Sequence, residues 1–170
     1  MSEPRLTHVD ASGAARMVDV SGKDVTVRTA TATGRVLVSP DVVALLRGAG
    51  VPKGDALAVA RIAGIQAAKR TPDLVPLCHP IAIHGVEVDL VVADDGVDIS
   101  ATVRTADRTG VEMEALTCVA VAGLTLVDMV KAVDRAATIT DVQVVHKGGG
   151  RSGEWRRPAE VPHAQDGSSP

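Results

Sequence analysis

The chain has no phenylalanine and no tyrosine, and Trp155 is its single tryptophan among 170 residues. Proteins that hold single-stranded nucleic acid commonly stack bases on aromatic rings, and here there is almost nothing to stack on. A basic excess is missing as well. The net charge is −3, against the strong positive balance of a general nucleic-acid binder, so no nucleic-acid partner is expected. Cysteine is scarce: Cys78 and Cys118 make no disulfide framework, and a reducing cytoplasm is the simplest setting. Long apolar runs are also lacking. The longest uncharged stretch, Ala115 to Val127, falls short of the roughly 20 residues that span a bilayer. Met1 to Val9 is polar and mixed in charge, unlike a signal segment. No membrane partner is expected.

What is present fits one globular domain. Apolar residues make up 45% and charged residues 23%, ordinary values for a chain with a real core. A core of Val, Ala, Leu and Ile brings less area per residue than one with rings, and oligomerisation is a natural way to bury more. Residues 1–157 read as the domain and 158–170 as a disordered tail.

Periodicity outlines the elements. Met1 to about Val18 reads as loosely ordered. Val25 to Val38 alternates like a long strand or hairpin. Ser39-Pro40 is an N-cap followed by proline at the first helical position, opening a helix to about Arg47 that Gly48 and Gly50 end. Gly54 to Lys69 is a second helix. Ile81–Val92 and Val97–Thr105 are strands joined by a turn at Asp94-Asp95-Gly96. Val111 to about Asp134 is a long helix whose apolar residues cover most of its circumference, so more than one side should be buried. Ala136–His146 is a last strand, and Gly148-Gly149-Gly150 a mobile loop. Helices and antiparallel hairpins in layers make an α+β domain.

Chemistry concentrates in a few places. The second helix gives way at Lys69 and Arg70 to a loop stiffened by Pro72, Pro76 and Pro80, which carries Leu77, Cys78 and His79. Proline fixes φ and restricts its predecessor, so such a loop can hold polar groups still. Adjacent Cys and His rarely converge on one ion, and no third and fourth ligand follows at zinc-like spacing; no metal is expected. A Cys–His catalytic pair comes from separated segments. A ligand-binding histidine fits better.

Glu112, Met113 and Glu114 open the long helix, where acids suit the dipole. Asp128 and Lys131, three apart, share a helix face. Their neighbours Leu124, Leu126, Val127, Met129, Val130 and Val133 are apolar. An unpaired charge there would be costly, so the two should be paired or face a cavity, as acid–base groups at an apolar wall do. Lys147-Gly148-Gly149-Gly150-Arg151-Ser152-Gly153 is glycine-rich and basic without P-loop spacing. It reads either as a linker or as a flap whose amides and cations grip phosphate. Lys53 by itself looks like an ordinary exposed lysine, and His8, His84, His146 and His163 carry no comparable signal.

Three segments together, GIQAAKRTPDLVPLCHP, VEMEALTCVAVAGLTLVDMVKAVDR and HKGGGRSG, resemble the molybdenum cofactor biosynthesis protein C family, the cyclic pyranopterin monophosphate synthases. The resemblance runs from about Leu6 to Trp155. It implies a ferredoxin-like antiparallel sheet packed with helices, assembled as a hexamer, a trimer of dimers. It implies a substrate, the cyclised GTP intermediate 3′,8-cyclo-7,8-dihydro-GTP, and no cofactor. It makes Asp128, Lys131 and Lys53 catalytic. Substrate contacts are implied at Leu77, Cys78, His79, Met113 and Glu114. Arg28, Lys69, Arg70 and Lys147 supply cations for the triphosphate, and Arg16 and Asp19 lie in a segment that can close over the site. The family usually reads Lys-Ser-Gly-Gly-Lys-Ser-Gly where this chain has Gly148 and Arg151; both changes keep flexibility and charge. A non-catalytic nucleotide- or pterin-binding regulatory module is the alternative. It needs the cations but not Asp128 and Lys131 together.

Overall fold

A computed structural model describes residues 7–10, 12–48 and 53–158, with residues 53–55 as backbone only. The elements run β1 (Thr26–Leu37), α1 (Pro40–Leu46), α2 (Lys53–Ala68), α3 (Thr71–Leu74), β2 (Ile83–Val92), β3 (Gly96–Asp107), α4 (Glu112–Val130), β4 (Thr138–Gly148) and β5 (Trp155–Arg156). The strands form one sheet in the order β2-β3-β1-β4-β5, and every pairing is antiparallel. With α2 and α4 as the two crossovers, this is the β-α-β-β-α-β plan of a ferredoxin-like α+β fold, extended by the short β5.

Alternation sets the two faces of the sheet. In β1, Ala30, Ala32 and Val36 are buried, while Thr29, Thr31, Thr33 and Arg35 take the opposite face. Across the ladder, Val97, Ile99, Ala101 and Val103 of β3 are buried with them. Val25–Val38 is thus one strand rather than a hairpin. The β2–β3 turn closes where Ala93 N donates to Gly96 O at 2.8 Å, so Gly96 already belongs to β3. Ser39 caps α1 as expected, its Oγ accepting from Val42 N.

α4 is long and apolar enough, by length and composition, to cross a membrane. Here it lies on the sheet, with Ala115, Cys118, Val119, Ala122 and Leu126 fully buried, the position of a core helix. It ends at Val130, short of the expected Asp134, where the chain turns so that Asp134 Oδ2 accepts from Ser39 N at 2.7 Å. In place of rings, the α2–α4 crossing uses small side chains. Ala60 and Ala68 of α2 share the core with Ala115, Cys118 and Ala122. At Gly64 a Cβ would sit 2.9 Å from Cys118 O and 3.2 Å from Ala122 Cβ. Only glycine lets the helices approach this closely, and close packing recovers dispersion that absent rings would have supplied.

The β4 end holds a departure from expectation. Gly148 completes the strand, and the chain then reverses so that Trp155 pairs with Lys147 and Arg156 with His146. The reversal needs φ of +91° at Gly149 and +68° at Gly150, values that side-chain-bearing residues rarely adopt.

Candidate active site

α2 stops at Ala68, and the chain turns through Lys69 and Arg70 into the single turn of α3. The buried Thr71 hydroxyl ties this turn back by donating to Ala68 O at 3.1 Å. Cys78 N then donates to Val75 O at 3.0 Å. The result lays Leu77, Cys78 and His79 against the first turn of α4. Together with Glu114, they line a cavity of about 230 Å³. The remaining wall comes from the N-terminal segment, at Thr7, His8, Val18, Val20 and Lys23, and from Thr109 and Gly110 between β3 and α4.

His79 Nε2 lies 2.7 Å from Val18 O. A carbonyl only accepts, so Nε2 carries the hydrogen, and Nδ1 has no hydrogen-bond partner among the described residues. Asp19, beside this contact, is held below its ordinary range by hydrogen bonds from Ser21, with a smaller effect of His79. Arg16 donates its backbone N–H to His8 O at 2.9 Å, and Val9 bridges Ala15. The segment expected to be loosely ordered is therefore folded on itself, where described.

Glu114 is 3% exposed. Burial pushes its carboxyl up to about 7, and the neighbouring Glu112 adds to the shift. A carboxylic acid poised near neutrality can give or take a proton. Burial, with Glu114 nearby, also pushes the Cys78 thiol up. That is opposite to the lowered value a nucleophilic cysteine needs. Among the described residues no three His, Cys, Asp or Glu side chains come together as a metal-binding group.

A second cavity, about 110 Å³, adjoins the first at Gly110. Arg28, Thr29, Glu112, Lys147, Gly148, Gly149 and Ser152 line it. Arg28 Nε donates to Asp107 O at 2.9 Å, which fixes the guanidinium against the β3–α4 connection. Lys147 Nζ forms an ion pair with Glu112 Oε1 at 3.1 Å. Cations and loop amides together suit phosphate oxygens.

The other sequence-derived positions stand elsewhere. Asp128 and Lys131 are paired as expected, Lys131 Nζ to Asp128 Oδ1 at 2.6 Å. They are not at a buried apolar wall, however: their side chains are 67% and 64% exposed. The helix explains this correction. Leu126 and Val130 turn inward and are buried, while Leu124, Met129 and Val133 are exposed as the pair is. Fourteen positions along one helix also put Asp128 roughly 21 Å from Glu114, at 1.5 Å per residue. Met113 is exposed and lines neither cavity. Lys69 and Arg70 are exposed, just beyond α2, and make no ion pair among the described residues. Lys53 opens α2, and its side chain lies outside the described residues.

Sequence reasoning passed over His8 and Lys23. Both come from the N-terminal part of the chain, and neither has neighbours of unusual character. The bond from His79 to Val18 and that from Arg108 Nε to Lys23 O, 2.9 Å, tie their segment beside the cavity that both residues line.

The family model described as the MoaC family matches residues 17–150. The chain belongs to the MoaC family. Among relatives of this family, a Streptomyces coelicolor protein named cyclic pyranopterin monophosphate synthase is 74% identical over 155 residues, 91% of each chain. One of the same name from a Nocardioides species is 72% identical, covering 92% of this chain and 98% of that protein. A Mycobacterium tuberculosis protein, cyclic pyranopterin monophosphate synthase 2, is 60% identical over 89% of this chain and 91% of its own. Each cavity takes part of its wall from the segments that carry the family resemblance.

Proposed function

We propose that the chain is a cyclic pyranopterin monophosphate synthase, a lyase of molybdenum cofactor biosynthesis. It converts 3′,8-cyclo-7,8-dihydro-GTP to cyclic pyranopterin monophosphate and releases pyrophosphate. The observation that carries the reading is the pair of adjoining compartments. One presents Leu77, Cys78, His79 and the buried Glu114; the other presents Arg28 and Lys147. A substrate with a heterocycle at one end and a phosphate chain at the other matches that division.

The reaction rebuilds a purine-derived ring, closes a cyclic phosphate and expels pyrophosphate. It therefore needs several proton transfers and a cationic clamp. Glu114 and His79 address the ring compartment, and Arg28 and Lys147 the leaving phosphates. Lys69 and Arg70 extend the positive field from the end of α2. Met113, exposed next to Glu114, is available to a substrate at the rim of the ring end. Lys53, Asp128 and Lys131 are the acid–base set.

A span of roughly 21 Å along α4 keeps Asp128 and Lys131 from meeting Glu114 in one chain. The complete site is therefore shared between copies, the Asp128–Lys131 end of one α4 facing the cavity of another. The exposed Leu124, Met129 and Val133 give that end an apolar border on which a second copy can close. A hexamer built as a trimer of dimers, working in the cytoplasm, fits this arrangement.

The regulatory-module alternative has no observation in its favour. Incubation of the protein with the cyclised GTP intermediate, with mass detection of product and pyrophosphate, tests the reading. Turnover is expected; retention of unchanged ligand would leave a binding module.

A further inference from the structure

The cation-lined cavity already holds an acid of the protein itself. Glu112 Oε1 is ion-paired with Lys147 Nζ at 3.1 Å, with the two side chains 29% and 33% exposed. The Glu112 carboxyl is also folded back over Gly110, so closely that a Cβ at that position would collide with it. An acid in the first turn of a helix is ordinarily explained by the dipole or by capping. Yet α4 has Val111 at its N-cap and no side-chain capping bond. The neighbouring cation, Arg28, has its Nε committed to Asp107 O and no carboxylate partner among the described residues.

From this placement we infer that Glu112 is a built-in stand-in for phosphate. Its carboxylate holds Lys147 while the cavity is free, yields when the substrate's phosphate chain arrives, and returns to hasten the departure of pyrophosphate. The inference rests on reading this cavity as the phosphate compartment, and adds the role of Glu112 within it.

The chemistry is that of two acceptors competing for one donor. Carboxylate and phosphate oxygens both take charge-assisted hydrogen bonds from an ammonium group. They cannot share Lys147 without repelling one another. A substrate held also by the ring compartment can displace Glu112. Free pyrophosphate lacks that second hold and faces the full competition. Affinity for the product is thereby kept low, which matters because product release limits many enzymes. Gly110 leaves the room in which the carboxylate folds.

Calorimetric titration of the full-length protein with inorganic pyrophosphate, at fixed ionic strength, tests this. Glu112→Gln keeps the shape and removes the charge, and its melting temperature checks the fold. The variant should bind pyrophosphate about tenfold more tightly than the parent, the size of a modest close-range charge repulsion. The gain should vanish in the Lys147→Met background, where nothing remains to compete for. If the parent binds pyrophosphate and Lys147→Met weakens it, but Glu112→Gln binds equally or less well, the stand-in is overturned and the phosphate compartment survives. If neither parent nor Glu112→Gln binds pyrophosphate, both readings fall.

Discussion

His79 Nε2 donates to the Val18 carbonyl at 2.7 Å, a single bond joining the proline-stiffened loop to the N-terminal segment that walls the cavity. The loop is held by its prolines and by Thr71. Among the described residues, the N-terminal segment is further anchored by Arg108 Nε on Lys23 O.

The first prediction follows from that asymmetry. His79→Ala should release residues 16–20 from the loop, seen as faster amide hydrogen exchange there, and raise KM by roughly tenfold, about the value of one hydrogen bond to a partly buried group. Unchanged exchange would mean that the segment is held by something other than His79.

Glu114 should make stability depend on pH. Burial raises its carboxyl from 4.5 to about 7 in the folded chain. Between those values the folded state keeps a proton that the unfolded state has given up. Stability therefore falls as pH rises through that window and levels off above it. Glu114→Gln, which stays neutral, should flatten the slope and melt higher than the parent at about pH 8, above the window, while losing activity. Parallel melting curves against pH for the two proteins would show that Glu114 ionises normally.

Asp128→Asn keeps shape and removes both charge and proton-accepting ability. We expect turnover to fall by about 10²–10⁴-fold, the usual contribution of a general acid–base group. Light scattering should still give about six chains per particle. That pairing of results matters, because Asp128 is exposed in the single chain and the proposed shared site reaches it only through another copy. A stable monomer with full activity would remove the shared-site argument.

For Lys53 and Lys131 the decisive substitution is arginine. It keeps the positive charge but scarcely deprotonates. If these lysines move protons, Lys53→Arg and Lys131→Arg should lose nearly as much turnover as the alanine variants, with substrate still bound. An active Lys53→Arg protein would make Lys53 a phosphate clamp.

Packing gives the last prediction. Gly64→Val would drive a side chain into Cys118 O, which lies only 2.9 Å from where the new Cβ would stand. Overpacking of this kind costs roughly 1–3 kcal/mol, and thermal unfolding should report a clear drop in melting temperature. Gly22→Ala, where a Cβ meets nothing within 4 Å, is the matched control.

Much of the architecture is legible along the chain. Thr29, Thr31 and Thr33 alternating with Ala30, Ala32 and Gly34 has the period of a half-buried strand. Ser39-Pro40 is a helix start in any context, because capping is local. The family resemblance rests on three segments, and all three contribute to or flank the cavity walls. What depends on neighbours in sequence could be read from sequence.

What depends on the other face of an element could not. Apolar neighbours around Asp128 and Lys131 suggested burial. A helix, however, presents Leu126 and Val130 to the core and the ion pair to the outside, and sequence proximity does not distinguish those faces. His8 and Lys23 reach the cavity through hydrogen bonds that tie their segment to His79 and to Arg108, partners tens of residues away. Glu112 looked like an ordinary first-turn acid until the end of β4 set Lys147 beside it. The sequence by itself determined most of the strands, the Ser39 cap, the stiff loop and the family. Only the tertiary structure decided which charges meet, because ion pairs and cavities are made by residues distant along the chain, and their energies depend on distance and burial that no local pattern encodes.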